Sequence, residues 1–130
     1  MTDTSLRPDL AIISNWIPRQ AKVLDLGCGD GALLAHLNKA LDVHGYGLEI
    51  DQDNLAACFE RGVNVIEKDI DQGLGNIDDK RFDYVVMTQA LQAIHRPDLV
   101  LNEMLRVGRE AIITFPNFGY WRVRAYLLFK

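Results

Sequence analysis

The sequence predicts an α/β fold: a parallel sheet of strand order 3-2-1-4-5, flanked by helices. Three observations predict it. Short apolar runs alternate with stretches of helical periodicity along the chain. The run Lys22 to Leu26 leads into three glycines spaced two apart, Gly27, Gly29 and Gly31. The run Tyr84 to Met87 is apolar throughout, as a strand covered on both faces requires. With right-handed crossovers the first strand is central, and the switch point lies beside the first and fourth strands.

Each element has its own signal. Leu10, Ile13, Trp16 and Ile17 share one face of a helix over 8–17, which Pro18 ends. Strand one is 22–26. A helix over 31–41 buries Leu33, Leu34, Leu37 and Leu41. Strand two is 45–50. Asp51 is the N-cap of a helix over 52–61, and Gly62 closes it. Strand three is 64–68. Residues 71–80, containing Gly73, Gly75, Asp78 and Asp79, read as a polar loop. Strand four is 82–88, a helix covers 97–106, and strand five is 110–115. Pro116 and Asn117 break the pattern, and 120–129 reads as a last helix. No further strand is expected.

Composition narrows the function classes. At 130 residues the chain is expected to form one domain, 1–130. A net charge of −4 does not supply the basic face that a nucleic-acid groove needs. Cys28 and Cys58 form no CxxC pair, which fits free thiols and a cytoplasmic setting. The first eight residues lack the apolar core of a secretory leader. No apolar run is long enough to span a membrane. His36, His44 and His95 are dispersed without ligand spacing, so no metal site is expected.

The glycine loop carries most of the functional information. It could be a plain tight turn. Gly27, Gly29 and Ala32 also satisfy a dinucleotide pattern formally, with Glu49 about 20 residues on. Electrostatics separates the readings. A pyrophosphate loop relies on electropositive amides and a helix N-terminus, whereas this turn holds Asp25 and Asp30. One like-charge contact at ~4 Å and an effective dielectric of ~20 costs about 4 kcal/mol. A helix-dipole contact returns only about 0.3–1 kcal/mol. S-adenosylmethionine fits better, because it carries an ammonium, a sulfonium and an adenosine but no phosphate.

Further candidates follow the later strands. Glu49, ending strand two, could accept both hydroxyls of a ribose, or be solvated while Asp51 caps its helix. Asp69, ending strand three, could accept an adenine amine with Ile70 against the ring, or be a loop acid. The Gln89 turn after strand four would pass near the methionine end of the ligand. His95 could be a general base or a solvent-facing loop residue. The aromatic and basic segment Phe115 to Arg124 could line an acceptor pocket, dock a partner, or belong to a core. The candidate binding set is thus Asp25, Gly27, Cys28, Gly29, Asp30, Glu49, Ile50, Asp69, Ile70 and Gln89.

These residues resemble class I S-adenosylmethionine-dependent methyltransferases. Asp25-Leu26-Gly27-Cys28-Gly29-Asp30-Gly31 looks like their first motif, Glu49 like their ribose acid, and Asp69-Ile70 like their adenine-contact pair. More narrowly, Leu6-Arg7-Pro8-Asp9-Leu10, Tyr46 to Asp51, Arg61 to Ile66, Gln89 to Ala93 and Phe115 to Arg124 resemble the methionine-biosynthesis MetW family. The resemblance implies a Rossmann-like methyltransferase fold and a possible homoserine O-acyltransferase partner. It implies no established methyl acceptor. The family fold ends in an antiparallel hairpin beyond strand five, so the C-terminal strands are expected to be missing and strand five to be an edge. The short link Arg106 to Glu110 lacks the longer loop common before strand five in small-molecule methyltransferases.

Overall fold

In the computed structural model, which describes residues 8–88, 94–114 and 122–124, strand β1 (Lys22–Leu26) lies inside the sheet. It pairs in parallel with β2 (His44–Glu49) on one side and β4 (Phe82–Thr88) on the other. Strand β3 (Val65–Glu67) lies outside β2, and β5 (Gly108–Thr114) outside β4, both parallel. The order 3-2-1-4-5 is the one expected.

A sixth strand corrects the reading of the chain's end. Residues Arg122–Arg124 form β6, antiparallel to β5, with Ile113 opposite Val123. The expected helix over 120–129 does not hold there, and β5 is not the edge. The Arg-Val-Arg alternation has strand period, and β5 offers a row of unpaired backbone groups that a returning segment satisfies. Residues 125–130 lie outside the described residues.

Alternation along the strands sends side chains into two cores. Val23, Val86 and Ile112 face one, with Leu33, Leu34 and Leu37 of α2 (Ala32–Leu41), Cys58 of α3 (Gln52–Arg61) and Ile13 of α1 (Pro8–Ser14). Leu24, Leu26, Val85, Met87 and Ile113 face the other, with Val100 and Met104 of α4 (Pro97–Val107). Each fully buried Leu contributes about 1.5–3 kcal/mol. Helix α1 ends three residues before the expected limit, and hydrogen-bonded turns carry the chain on to Trp16. The residue preceding Pro18 disfavours helix. Asp51 caps α3 through the Asn54 N–H at 2.9 Å, and Gly62 closes it at φ 75°, both as expected. Helix α4 passes straight into β5 at Gly108, where a Cβ would lie 2.5 Å from Val85 Cγ2.

The link from β3 to β4 has one short 3-10 turn, Ile70–Gln72. The loop beyond it is fastened to α4 by Arg106. Its guanidinium donates to the carbonyls of Leu74 and Ile77, both at 2.7 Å, to Asp79 at 2.8 Å and to Glu103 at 2.9 and 3.0 Å. Glu103 also accepts the Leu74 N–H at 2.9 Å. Lys80 Nζ donates to the Leu105 and Gly108 carbonyls at the end of α4, where a cation is favoured. A planar fork with five donors serves these divergent acceptors; an ammonium cannot.

The Arg106 hydrogen bond holds the Glu103 carboxyl below its ordinary 4.5. Stability from this pair is therefore complete above the ordinary carboxyl range and is lost as the pH falls through the lowered value. Arg106→Lys is expected to cost about 2 kcal/mol at neutral pH in urea unfolding. That deficit should shrink in acid as Glu103 protonates in both proteins.

Candidate functional site

At the end of β1 the chain must leave the sheet without losing its hydrogen bonds. The Gly27 and Cys28 N–H groups both donate to the Leu48 carbonyl of β2, at 2.8 and 3.0 Å. Gly27, Gly29 and Gly31 then take φ of 67°, 62° and 85°, a region that glycine enters without steric cost. A Cβ on Gly29 would have no atom within 4 Å. The loop therefore opens onto free space at the carboxyl end of the strands, where doubly wound sheets bind ligands.

Glu49 faces this loop from the end of β2. Its Oε1 accepts the Gly29 N–H at 2.7 Å, and its Oε2 accepts those of Ile50 and Asp51 at 3.1 and 3.0 Å. A carboxylate has about four acceptor positions, and three are engaged. A diol would take the fourth or displace a backbone partner. Asp25 lies within β1, 1 % exposed, beside Gly47 and Val86. Asp30 is exposed; it accepts the Ala32 N–H at 3.0 Å and meets Arg61 at 3.4 Å. Its charge is thus answered by a neighbouring cation.

The remaining candidates spread along the sheet's carboxyl edge. The Lys68 N–H donates to the Glu49 carbonyl at 3.1 Å, bringing the end of β3 beside Glu49. Asp69 follows and caps the 3-10 turn through the Asp71 N–H at 3.0 Å. Ile70 is half-buried against the second core, while Ile50 is exposed. Gln89 lies outside the described residues, as does 115–121 of the aromatic and basic segment. No cluster of metal-binding side chains occurs among the described residues, and no helix among them is long and apolar enough to cross a membrane.

Two features escaped the sequence reading. Asp71 accepts the His95 and Arg96 N–H groups at 3.0–3.2 Å, with His95 Nδ1 at 3.8 Å. Desolvation opposes ionisation of Asp71, but these donors prevail and hold its carboxyl below the ordinary range. His95 itself is exposed. Cys28 and Cys58 place their sulfurs 3.8 Å apart, and Cys58 Sγ donates to the Gly29 carbonyl at 3.3 Å. Burial, chiefly, pushes both thiols up. Neither contact has a spacing signature, since the partners lie far apart in sequence.

The donor set suits S-adenosylmethionine: a carboxylate beside a glycine cradle open to solvent, a buried acid on the central strand, and an exposed apolar side chain at Ile50. The family model "Methionine biosynthesis protein MetW" matches residues 7–130. The bifunctional methionine biosynthesis protein MetXA/MetW of Rhodopirellula baltica is 44% identical over 131 residues, covering 95% of this chain and 21% of that protein. A TehB-like SAM-dependent methyltransferase of Corynebacterium glutamicum superposes with TM-score 0.69 at 22% identity, over 82% of this chain and 61% of that one. A possible histamine N-methyltransferase of Thermotoga maritima does so with TM-score 0.67 at 21% identity, over 81% and 48%. The structural matches show a shared Rossmann-like methyltransferase fold. This chain spans about a fifth of the curated relative and about half of the Thermotoga protein.

Two glycine substitutions separate backbone strain from packing. Gly29→Ala meets open space, so its cost is the positive φ alone, about 1–2 kcal/mol. Gly47→Ala would set a Cβ 2.5 Å from Cys28 Sγ. Thermal unfolding should rank Gly47→Ala as the more damaging of the two.

Proposed function

The chain belongs to the methionine biosynthesis protein MetW family, and on that premise we propose that it binds S-adenosylmethionine at the Gly27–Gly31 loop and supports a homoserine O-acyltransferase. The observation that carries the binding half is the Glu49 carboxylate held against Gly29 at 2.7 Å, beside a cradle with no atom where a Gly29 side chain would lie. Asp25 and the loop backbone, including Cys28 and the turn at Asp30, would hold the amino-acid end. Glu49 and Ile50 would take the ribose, and Asp69 with Ile70 the adenine. Gln89 would close the other side. A dinucleotide is disfavoured, because its phosphates would lie near the carboxylate of Glu49.

The partner half is supported by the Rhodopirellula relative, whose name joins MetXA and MetW in one bifunctional chain. A second reading, a methyltransferase acting on a small acceptor, is supported by the fold it shares with proteins named as methyltransferases. When bound, S-adenosylmethionine supplies an electrophilic methyl on a sulfonium. The protein's part in that reading is alignment and exclusion of water, needing no obligatory acid or base.

Calorimetry tests the binding half. S-adenosylmethionine should bind, and Glu49→Ala should weaken it by about 1–3 kcal/mol through loss of a charged acceptor. Tight binding of NAD with none of S-adenosylmethionine would reverse the assignment. Size-exclusion chromatography with a homoserine O-acyltransferase should show a complex. Product formation on an acceptor without any such complex would favour the second reading.

A further inference from the structure

We propose that Cys28 and Cys58 form a reversible disulfide that resets the glycine loop and so gates the binding site; this gating rests on the S-adenosylmethionine reading above. The two sulfurs already touch at 3.8 Å, one inside the loop and one on α3. Both sit in spaces that glycines keep clear. A Cβ on Gly47 would lie 2.5 Å from Cys28 Sγ, and one on Gly31 would lie 3.0 Å from Cys58 Sγ. Closing the pair brings the sulfurs from 3.8 Å to about 2.05 Å.

The loop must respond to that closure. Cys58 donates to the Gly29 carbonyl at 3.3 Å, and oxidation removes the donated hydrogen. The N–H of the same Gly29 donates to Glu49 at 2.7 Å. Oxidation therefore acts on the residue through which Glu49 holds the loop. The chemistry is thiol–disulfide exchange with a small-molecule disulfide such as oxidised glutathione. One cysteine thiolate attacks a sulfur of that oxidant and expels one glutathione. The second cysteine then displaces the other, forming the S–S bond. The protein gives up two protons and two electrons in all, and the oxidant leaves as two thiols. Burial, with Asp25 and Glu49 close to both sulfurs, keeps both thiols protonated at rest, so exchange is slow.

The full chain is incubated with oxidised glutathione or with a reductant, then examined by peptide mapping, calorimetry and hydrogen exchange. A Cys28–Cys58 cross-linked peptide in the monomer is expected. S-adenosylmethionine affinity should fall at least tenfold on oxidation and recover on reduction. Cys58→Ser should show one affinity in both buffers, and the wild-type map stands if that variant does not fold. Absence of the cross-link, mixed glutathione disulfides alone, or a cross-link with unchanged affinity would overturn the proposal. If the reduced chain binds no S-adenosylmethionine, the binding reading fails separately. Exchange of the 24–34 backbone then decides the switch: a changed rate on cross-linking supports it, and an unchanged rate overturns it.

Discussion

The carboxylate of Glu49 is the constraint on which the site depends. It ends β2, yet its oxygens accept N–H groups from the loop after β1 and from its own following residues. Charge-assisted bonds of this kind are about twice as strong as neutral ones. They fasten a glycine-rich loop that has little of its own to hold it in a left-handed conformation. On the proposed reading the same carboxylate would also favour a cationic nucleoside over a dinucleotide. One side chain would then serve as both structural tie and recognition group, and a ligand using it would compete with the backbone.

Much of this was legible in the sequence because the rules involved are local. The glycine spacing marks the turn, Asp51 and Gly62 mark the limits of α3, and the apolar run Tyr84 to Met87 marks a buried strand. The strand order followed from the handedness of crossovers. Glu49 was legible as an acid at a strand end, but its three backbone partners were not, since Gly29 reaches it only once β1 and β2 are paired. Contacts between distant segments left no trace either. Arg106 meets Leu74, Ile77 and Asp79 across 27 to 32 positions. Cys28 meets Cys58 across 30. The strand at Arg122–Arg124 has no decisive local signal, because apolar and basic residues in a short segment fit helix and strand patterns alike, and pairing with β5 decides between them.

The two faces of the sheet are built by different means. On one, α1, α2 and α3 cover the strands with apolar side chains. On the other, part of the covering is a loop after the short turn at Ile70, held to α4 by the Arg106 guanidinium, the Glu103 carboxylate and Lys80. That loop begins where Asp69, Ile70 and Asp71 meet the candidate adenine side. Asp71 in turn ties it to the segment entering α4. Leu74 is buried in the second core and Ile70 and Ile77 pack against it, so this rim joins apolar anchoring to hydrogen bonds of specific geometry.

The central claim is that Glu49 and Gly29 together form the recognition point for a positively charged nucleoside. The most direct measurement is a titration of the nitrogen-15-labelled chain, following the backbone amides of Gly29, Ile50 and Asp51. Saturating S-adenosylmethionine should move all three, Gly29 most, while NAD leaves them in place. Amides that hold still as S-adenosylmethionine binds, or that answer to NAD instead, would contradict it.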